Sequence, residues 1–272
     1  MLAADDGARV IAGGQTLVPL MAMRLARPSR LIDIARIPGL AHVRDEGEHI
    51  AIGATTRQSV VESDAVVRAK LPLLAKVMPF VGHTATRARG TVGGSIVNGD
   101  PAAEIILVAV TLGATLVWRD GGADNSIAAA DFFLGPMVTA LPLTACLAEA
   151  RFPVWPEARV GVGFHEINAR QSDFAFVSAA AQVALDGDGR CTRAAVGIGA
   201  ATAVPLRLDA VAEELKGKRY DDGAVRKSLS AALDGIEAMA DLHASAAYRK
   251  RVTVTMALRA ITDAYQDAAR RA

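Results

Sequence analysis

Two glycine pairs constrain this chain more than anything else in it: Gly13-Gly14 within Ala12-Gly-Gly-Gln-Thr16, and Gly93-Gly94 within Arg89-Gly-Thr-Val-Gly-Gly-Ser-Ile-Val-Asn-Gly-Asp-Pro101. An anion as wide as a pyrophosphate needs several backbone N–H groups converging on it, and a Cβ in the way holds the chain off. Glycine removes that obstacle. The first pair follows the apolar run Val10-Ile11-Ala12 and precedes Leu17, Leu20, Met21 and Leu25, which recur at helical spacing until Pro28. It therefore reads as strand, glycine turn and helix start. The second ends in Asp100-Pro101, an N-cap with proline at the first helical position, ahead of a helix over 102–112. Free amides at such a helix start suit a phosphate.

Either pair alone reads more readily as an ordinary tight turn, since glycine marks turns in general. Neither is the dinucleotide motif G-x-G-x-x-G. Gly94 and Gly99 have P-loop spacing, but Asp100 and Pro101 stand where its Lys and Ser/Thr belong, so ATP or GTP hydrolysis loses its main support. At 272 residues, 51% hydrophobic and with a net charge of +1, the chain can build an ample core or several small lobes. That balance carries no nucleic-acid footprint. Cys146 and Cys191 are the only cysteines, too few for a disulfide framework or for the thiolates of an iron–sulphur cluster or structural zinc. The apolar run over 105–112 is far too short to span a membrane, and a cytoplasmic location is the expectation.

The pattern divides into three parts. Residues 1–48 form a small lobe around the first glycine turn. Residues 49–156 begin with a strand at Ile50 and Ile52, continue with a helix capped by Thr55 or Thr56 and running through Leu74, and end after the second glycine turn, its helix and a strand over 114–118. Asp120-Gly-Gly reads as a hairpin turn. In 157–272 antiparallel strands over 160–168, 174–186 and 191–200, with Asp186-Gly-Asp-Gly189 as a tight connection, give way to helices from about Ala210 onward. The fold class is α+β.

The stretch from Ala12 to Pro28, with Leu31-Ile-Asp-Ile34 and Ile37-Pro-Gly-Leu40, resembles the first flavin-binding segment of the FAD-binding medium subunit of molybdenum hydroxylases. That family includes the carbon monoxide dehydrogenase medium subunit and the flavin domain of xanthine dehydrogenase. Gly82-His-x-x-x-Arg-x-Arg-Gly-Thr-Val-Gly-Gly-Ser95 followed by Asp100-Pro-Ala-Ala-Glu104 resembles its second segment. Phe132-Phe-Leu-Gly135, Arg151-Phe-Pro153, Gly163-Phe-His-Glu166 and Asp173-Phe-Ala175 resemble its passage into the C-terminal domain. The resemblance implies a two-lobed FAD-binding domain of the PCMH (vanillyl-alcohol-oxidase-like) type over 1–48 and 49–156. A CO-dehydrogenase-flavoprotein-like domain with a small antiparallel sheet and helices would follow over 157–272. It also implies a further strand and helix ahead of the first motif, so a first lobe opening at Met1 is expected to be short of an edge strand.

By the same resemblance FAD is bound non-covalently, with Ala12, Gly13, Gly14, Gln15, Thr16 and Leu17 on one side of its pyrophosphate. Thr91, Val92, Gly93, Gly94 and Ser95 take the other side, chiefly by backbone donation. Glu104 stands where the family places an acid at the ribose or adenine end. Asp100 either joins it or only caps a helix, and Asn98 either bonds the cofactor or shapes the turn. Leu141 packs on the isoalloxazine face or in the core. His165 aligns with a basic group of other members, and Phe164 aligns where some members place an aromatic beside the flavin ring but reads more readily as core. His83 reads as structural, orienting Arg87 or Arg89, and those arginines either offset cofactor charge or pair with local carboxylates. Arg249, Lys250, Arg251, Arg259, Arg270 and Arg271 read as a solvated helix face, with a docking surface for a partner subunit as the alternative.

The implied function is that of an oxidoreductase subunit. Electrons would arrive from a molybdopterin large subunit through an iron–sulphur small subunit with two [2Fe-2S] clusters, reach FAD, and leave to NAD, a quinone or oxygen. No residue of this chain is expected to be catalytic or to ligate a metal. A free-standing FAD oxidoreductase and a nucleotide-binding or scaffold subunit without redox activity are the rival readings.

Overall fold

A computed structural model describes residues 2–271. The first lobe is a parallel pair, β1 (Ala8–Ile11) beside β2 (Arg30–Asp33) in register Ala8↔Arg30 to Ile11↔Asp33. A parallel pair needs a crossover, and here it holds α1 (Leu17–Ala22). This helix stops short of the extent that its apolar spacing predicts. Arg24 turns into the left-handed region (φ 62°), and the N–H groups of Leu25 and Ala26 both close on the Leu20 carbonyl, so Leu25 is left 73% exposed. The lobe packs Ile34 and Leu40 against Ala148 of the next unit.

That unit is built on a five-stranded antiparallel sheet in the order β3-β4-β9-β5-β6. Strands β3 (Val43–Asp45) and β4 (His49–Gly53) precede the helices α2 (Gln58–Ser63), α3 (Ala65–Lys70), α4 (Pro72–Val77), α5 (Thr84–Arg89), α6 (Val92–Asn98) and α7 (Glu104–Leu112). A hairpin of β5 (Thr115–Asp120) and β6 (Ala123–Ala128) follows, turning through Gly121 and Gly122, both at positive φ as a two-residue hairpin turn of this type requires. Then come α8 (Ala129–Phe132), the short pair β7 (Phe133–Gly135) and β8 (Val138–Thr139), and β9 (Cys146–Pro153) at the centre of the sheet.

The single helix expected from Thr55 or Thr56 to Leu74 is three helices. Arg57 holds the N-cap position of α2, and the Thr56 hydroxyl instead accepts from the His42 N–H and donates to the His42 carbonyl, both at 2.9 Å. Asp64 leaves helical geometry and accepts from the N–H groups of Val66 and Val67, capping α3. Leu71 is forced out of the helical region by Pro72. The helix expected at Asp100-Pro101 also begins later, at Glu104. Asp100 caps the turn before it, its carboxylate accepting from Ala102 N–H at 2.9 Å.

In the third unit β10 (Val160–Ile167), β11 (Val177–Leu185), β12 (Cys191–Gly199) and β13 (Leu206–Arg207) form an antiparallel sheet in that order. Helices α9 (Asp209–Leu215), α10 (Asp222–Leu233) and α11 (Ala246–Arg270) complete it. Every residue of β11 is buried, because α11 covers one face and the preceding unit covers the other. On α11, Thr253, Met256, Ala257, Ala260, Ile261, Ala264, Tyr265 and Ala268 recur at three and four residues and make the buried stripe. Arg249 overturns its assignment to the solvated face: it is 3% exposed. Lys250 and Arg271 do stay at the surface, pairing with Asp234 and Asp267.

Helix α11 approaches β10 as closely as it does because that strand carries Gly161 and Gly163 facing it. A Cβ at Gly163 would sit 1.9 Å from the Ala260 carbonyl oxygen. Gly163→Ala is therefore expected to lower the melting temperature by roughly 3–10 °C. Gly187→Ala, where a Cβ meets open space, should leave it nearly unchanged. Equal melting of both variants in a thermal scan would show that α11 does not press on this strand.

Candidate cofactor-binding site

The two glycine motifs meet. A Cβ at Gly13 would lie 2.5 Å from the Arg89 carbonyl oxygen and 2.9 Å from the Gly90 α-carbon, so the first turn rests directly on the peptide leading into the second motif. That peptide is held from its other side: the Arg57 guanidinium donates to the Arg89 carbonyl, and Gln58 N–H donates to the Gly90 carbonyl at 2.9 Å. Neither Arg57 nor Gln58 stands out in the sequence, because their roles depend on a chain segment thirty residues away.

The motifs differ in what they leave free. Among the described residues the backbone N–H groups of Gly13, Gly14, Gln15 and Thr16 have no acceptor, and the turn that carries them is partly exposed. In the second motif the donors expected to face a ligand are engaged within the protein. Val92 N–H donates to the Thr56 carbonyl, Gly93 N–H to the Ala54 carbonyl, Gly94 N–H to the Thr91 hydroxyl and Ser95 N–H to the Thr91 carbonyl. Gly93-Gly94 are the first turn of α6, with Thr91 as its N-cap, and a Cβ at Gly93 would sit 2.5 Å from that of Ala54. What this motif presents is side chains: the Ser95 hydroxyl and the Asn98 amide, both half-buried, make no hydrogen bond among the described residues, and neither does the Thr16 hydroxyl. Leu17 begins α1 directly behind the first turn.

Beyond Asn98, Gly99 ends α6 at φ 64° and accepts from Met137 N–H at 2.9 Å, which brings the β7–β8 pair against the second motif. Leu141 follows that pair and is half-buried against the main core. Glu104 lies at the start of α7, 8% exposed, near Asp100 and the C-terminal domain's Glu166. Burial pushes the Glu104 carboxyl up to about 8, against a favourable contribution from its own N–H, with the charges of Glu166 and Asp100 adding to the rise. Burial likewise lifts Glu166 to about 7, opposed by Asn168, and raises Asp100. Sequence reading assigned Glu166 no part here, although it ends the Gly163-Phe-His-Glu166 motif.

The structure does not bring His165 to the others. It faces α11, where its Nε2 lies 2.9 Å from an Asp263 carboxylate oxygen. Phe164 is buried and meets the Phe80 ring edge-on at 4.9 Å between centroids, as its reading as core expects. Arg87 pairs with Glu62, its Nε and Nη2 reaching the two carboxylate oxygens at 2.7 and 3.1 Å, and its Nη1 donates to the Val81 and Gly82 carbonyls. It is thus a local structural pair, and no His83 side-chain bond orients it among the described residues.

Between about pH 4.5, the ordinary value for Glu, and about 8, folded Glu104 holds a proton that the unfolded chain releases. Stability is therefore greatest at the acid end of that window, falls as pH rises through it and levels off above. Glu104→Gln removes this loss. Without bound cofactor the variant should melt close to the parent near pH 5 and roughly 2–6 °C above it at pH 8.5; a difference that does not widen with pH would show that Glu104 is not held neutral by burial.

Residues 1–155 match the FAD binding domain in molybdopterin dehydrogenase, and residues 163–264 match the CO dehydrogenase flavoprotein C-terminal domain. The chain is 33% identical over 259 residues to 6-hydroxypseudooxynicotine dehydrogenase complex subunit alpha of Paenarthrobacter nicotinovorans, covering 95% of this chain and 87% of that one. Its fold is similar to a chain of carbon monoxide dehydrogenase from Hydrogenophaga pseudoflava, in a form that lacks the Mo-pyranopterin moiety of the molybdenum cofactor. The TM-score is 0.93 at 30% identity, over 98% of this chain and 92% of that one. A chain of quinoline 2-oxidoreductase from Pseudomonas putida 86 gives 0.92 at 33% identity, with coverage of 98% and 92%. With two family matches in tandem and relatives aligned over nearly the whole length, this chain belongs to the family of FAD-binding medium subunits of molybdenum hydroxylases.

Proposed function

We propose that this chain is the FAD-carrying electron-transfer subunit of a molybdenum hydroxylase complex, taking electrons from [2Fe-2S] clusters of a partner subunit and passing them to an external acceptor. The observation that carries the reading is the set of four unpartnered N–H groups from Gly13 to Thr16, in a turn pressed against the Arg89-Gly90 peptide. A pyrophosphate supplies the acceptors that such a turn lacks. Ala12 and Leu17 frame the turn, and Thr16, Ser95 and Asn98 add side-chain donors and acceptors at its rim. Glu104, held neutral near pH 7, offers a ribose hydroxyl a partner without opposing the pyrophosphate charge. Leu141 is the apolar residue assigned to the ring. The second motif, Thr91 to Gly94, contributes shape more than free amides.

FAD supplies the redox chemistry in such a subunit, since it accepts electrons singly and yields them in pairs. With two cysteines the chain cannot ligate a four-thiolate cluster, and no metal-binding group of His, Cys, Asp and Glu occurs among its described residues. The iron–sulphur small subunit and the molybdopterin large subunit are accordingly assigned to partner chains. NAD, a quinone or oxygen serves as acceptor. No described helix is long and apolar enough to cross a membrane, and the complex is assigned to the cytoplasm.

Purification with whatever co-purifies, followed by a visible spectrum and chromatography of the released cofactor, tests this reading. Releasable FAD with iron–sulphur and molybdenum subunits supports it. FAD bleached by substrate in the isolated chain would instead make it a free-standing oxidoreductase, and an intact complex without FAD would make it a scaffold. Gly13→Ala should reduce bound FAD by about tenfold or more, because a Cβ there parts the two loops. Gly235→Ala, which meets open space, should retain full FAD occupancy. Full occupancy in both would remove the turn at Gly13 from the site.

A further inference from the structure

Arg249 lies in the first turn of α11, far along the chain from every candidate cofactor contact, and is 3% exposed. A cation there is doubly disfavoured: its charge is taken out of water, and it sits at the helix end whose dipole repels it. The neighbouring Asp241 carboxylate accepts from Nη2 and offsets part of this. The other bonds go elsewhere. Nη1 donates to the Phe176 carbonyl at 2.6 Å and to the Ala200 carbonyl at 2.7 Å.

Those two carbonyls belong to the strand ends nearest the carboxylates of the site. Ala200 follows β12 in the left-handed region, at φ 60°, where a residue with a side chain is strained. Its N–H donates to the Pro101 carbonyl at 2.8 Å, and Pro101 stands inside the turn from Asp100 to Glu104. Phe176 precedes β11, and its N–H donates to the Ile167 carbonyl at 2.7 Å. Ile167 follows Glu166, and the next residue, Asn168, donates to a Glu166 carboxylate oxygen at 2.9 Å. One guanidinium nitrogen thus links, through one residue each, the segment carrying Glu104 and the segment carrying Glu166.

We propose that Arg249 is a positioning residue for the cofactor: from behind the sheet it fixes Ala200 and Phe176, and through them sets Glu104 against Glu166 at the ribose end of FAD. The proposal rests on the assignment of Glu104 to that end. Arg249 itself touches no cofactor. Its planar fork is suited to the task, since one terminal nitrogen serves the two carbonyls while the other meets Asp241. A lysine can keep the charge but cannot hold all three acceptors in that geometry.

FAD dissociation constants measured by flavin fluorescence on the full chain, in parent, Arg249→Met, Glu104→Gln and the double variant, test the coupling. Arg249→Met should weaken FAD binding about tenfold in the parent and less than about threefold with Glu104→Gln already present, since contacts in one network are not additive. Leu229→Ala, a core residue of α10 with no hydrogen bond to Phe176 or Ala200, controls for stability and should leave FAD affinity within about twofold at a comparable loss of melting temperature. Arg249→Lys should fall between parent and Arg249→Met. Equal weakening by Arg249→Met in both backgrounds, or none in a folded variant, overturns the proposal. If Arg249→Met does not fold, the same cycle with Arg249→Lys decides in the same way. Unchanged FAD affinity in Glu104→Gln alone would instead overturn the assignment of Glu104, a result separable from any effect of Arg249.

Discussion

A contact between backbones underlies everything else in this structure. Gly13 rests on Arg89-Gly90 with no room for a methyl group, and Gly93 rests in the same way on Ala54 at the end of β4. The first lobe, the second glycine motif and the central sheet are therefore stacked with nothing larger than the Ala54 methyl group at these two contacts. The stack uses the N–H groups of Val92 and Gly93, the Thr91 cap takes those of Gly94 and Ser95, and those of Gly13 to Thr16 stay open. Glycine serves two different purposes in two motifs that look alike: in the second it lets protein approach protein, and in the first it leaves donors uncovered for something else.

Helix α7 carries this arrangement into the C-terminal domain. All nine of its residues are buried, including the acid that starts it, so the helix is a shared core element with no solvent face. Gly197 of β12 permits that closeness: a Cβ there would lie 2.0 Å from the Thr111 hydroxyl oxygen. The position of Glu104 sets two effects against each other. A helix N-terminus favours a carboxylate, whereas burial beside Asp100 and Glu166 disfavours it. Burial wins, and the carboxyl stays protonated at neutral pH. Three ionised carboxylates would oppose an anionic ligand. A neutral acid among them does not, and it can donate as well as accept.

The elements that follow from local chemistry were legible in the sequence. The Gly121-Gly122 hairpin, the Asp186-Gly-Asp-Gly189 turn, where one Asp186 carboxylate oxygen accepts from Asp188 and Arg190 N–H groups, and the strands of the last sheet all depend on neighbours in the chain. Helix boundaries were less so. Thr55 and Thr56 have the chemistry of caps, but Thr56 is drawn into a bond with His42 fourteen residues back, and the breaks at Asp64 and Pro72 interrupt a pattern that apolar spacing alone would carry through. Arg87 and Arg249 were the hardest. A buried arginine is defined by its acceptors, and Glu62, Phe176 and Ala200 are specified only once the chain has folded.

The motif Gly163-Phe-His-Glu166 shows why a run of adjacent residues need not act as one site. It lies on a strand, and side chains on a strand alternate between faces. Gly163 and His165 meet α11, the glycine by admitting the helix backbone and the histidine through Asp263. Phe164 and Glu166 face the opposite way, toward the main core and Glu104. The two faces answer to different constraints, packing of the last helix on one and electrostatics of the buried carboxyls Glu104 and Glu166 on the other. A shift of one residue in the register of β10 against β11 would exchange them, burying His165 beside Glu104 and turning Phe164 into α11. The two glycines that fit only beneath α11 exclude that alternative, so the helix that covers the sheet also decides that Glu166 is the strand residue beside Glu104.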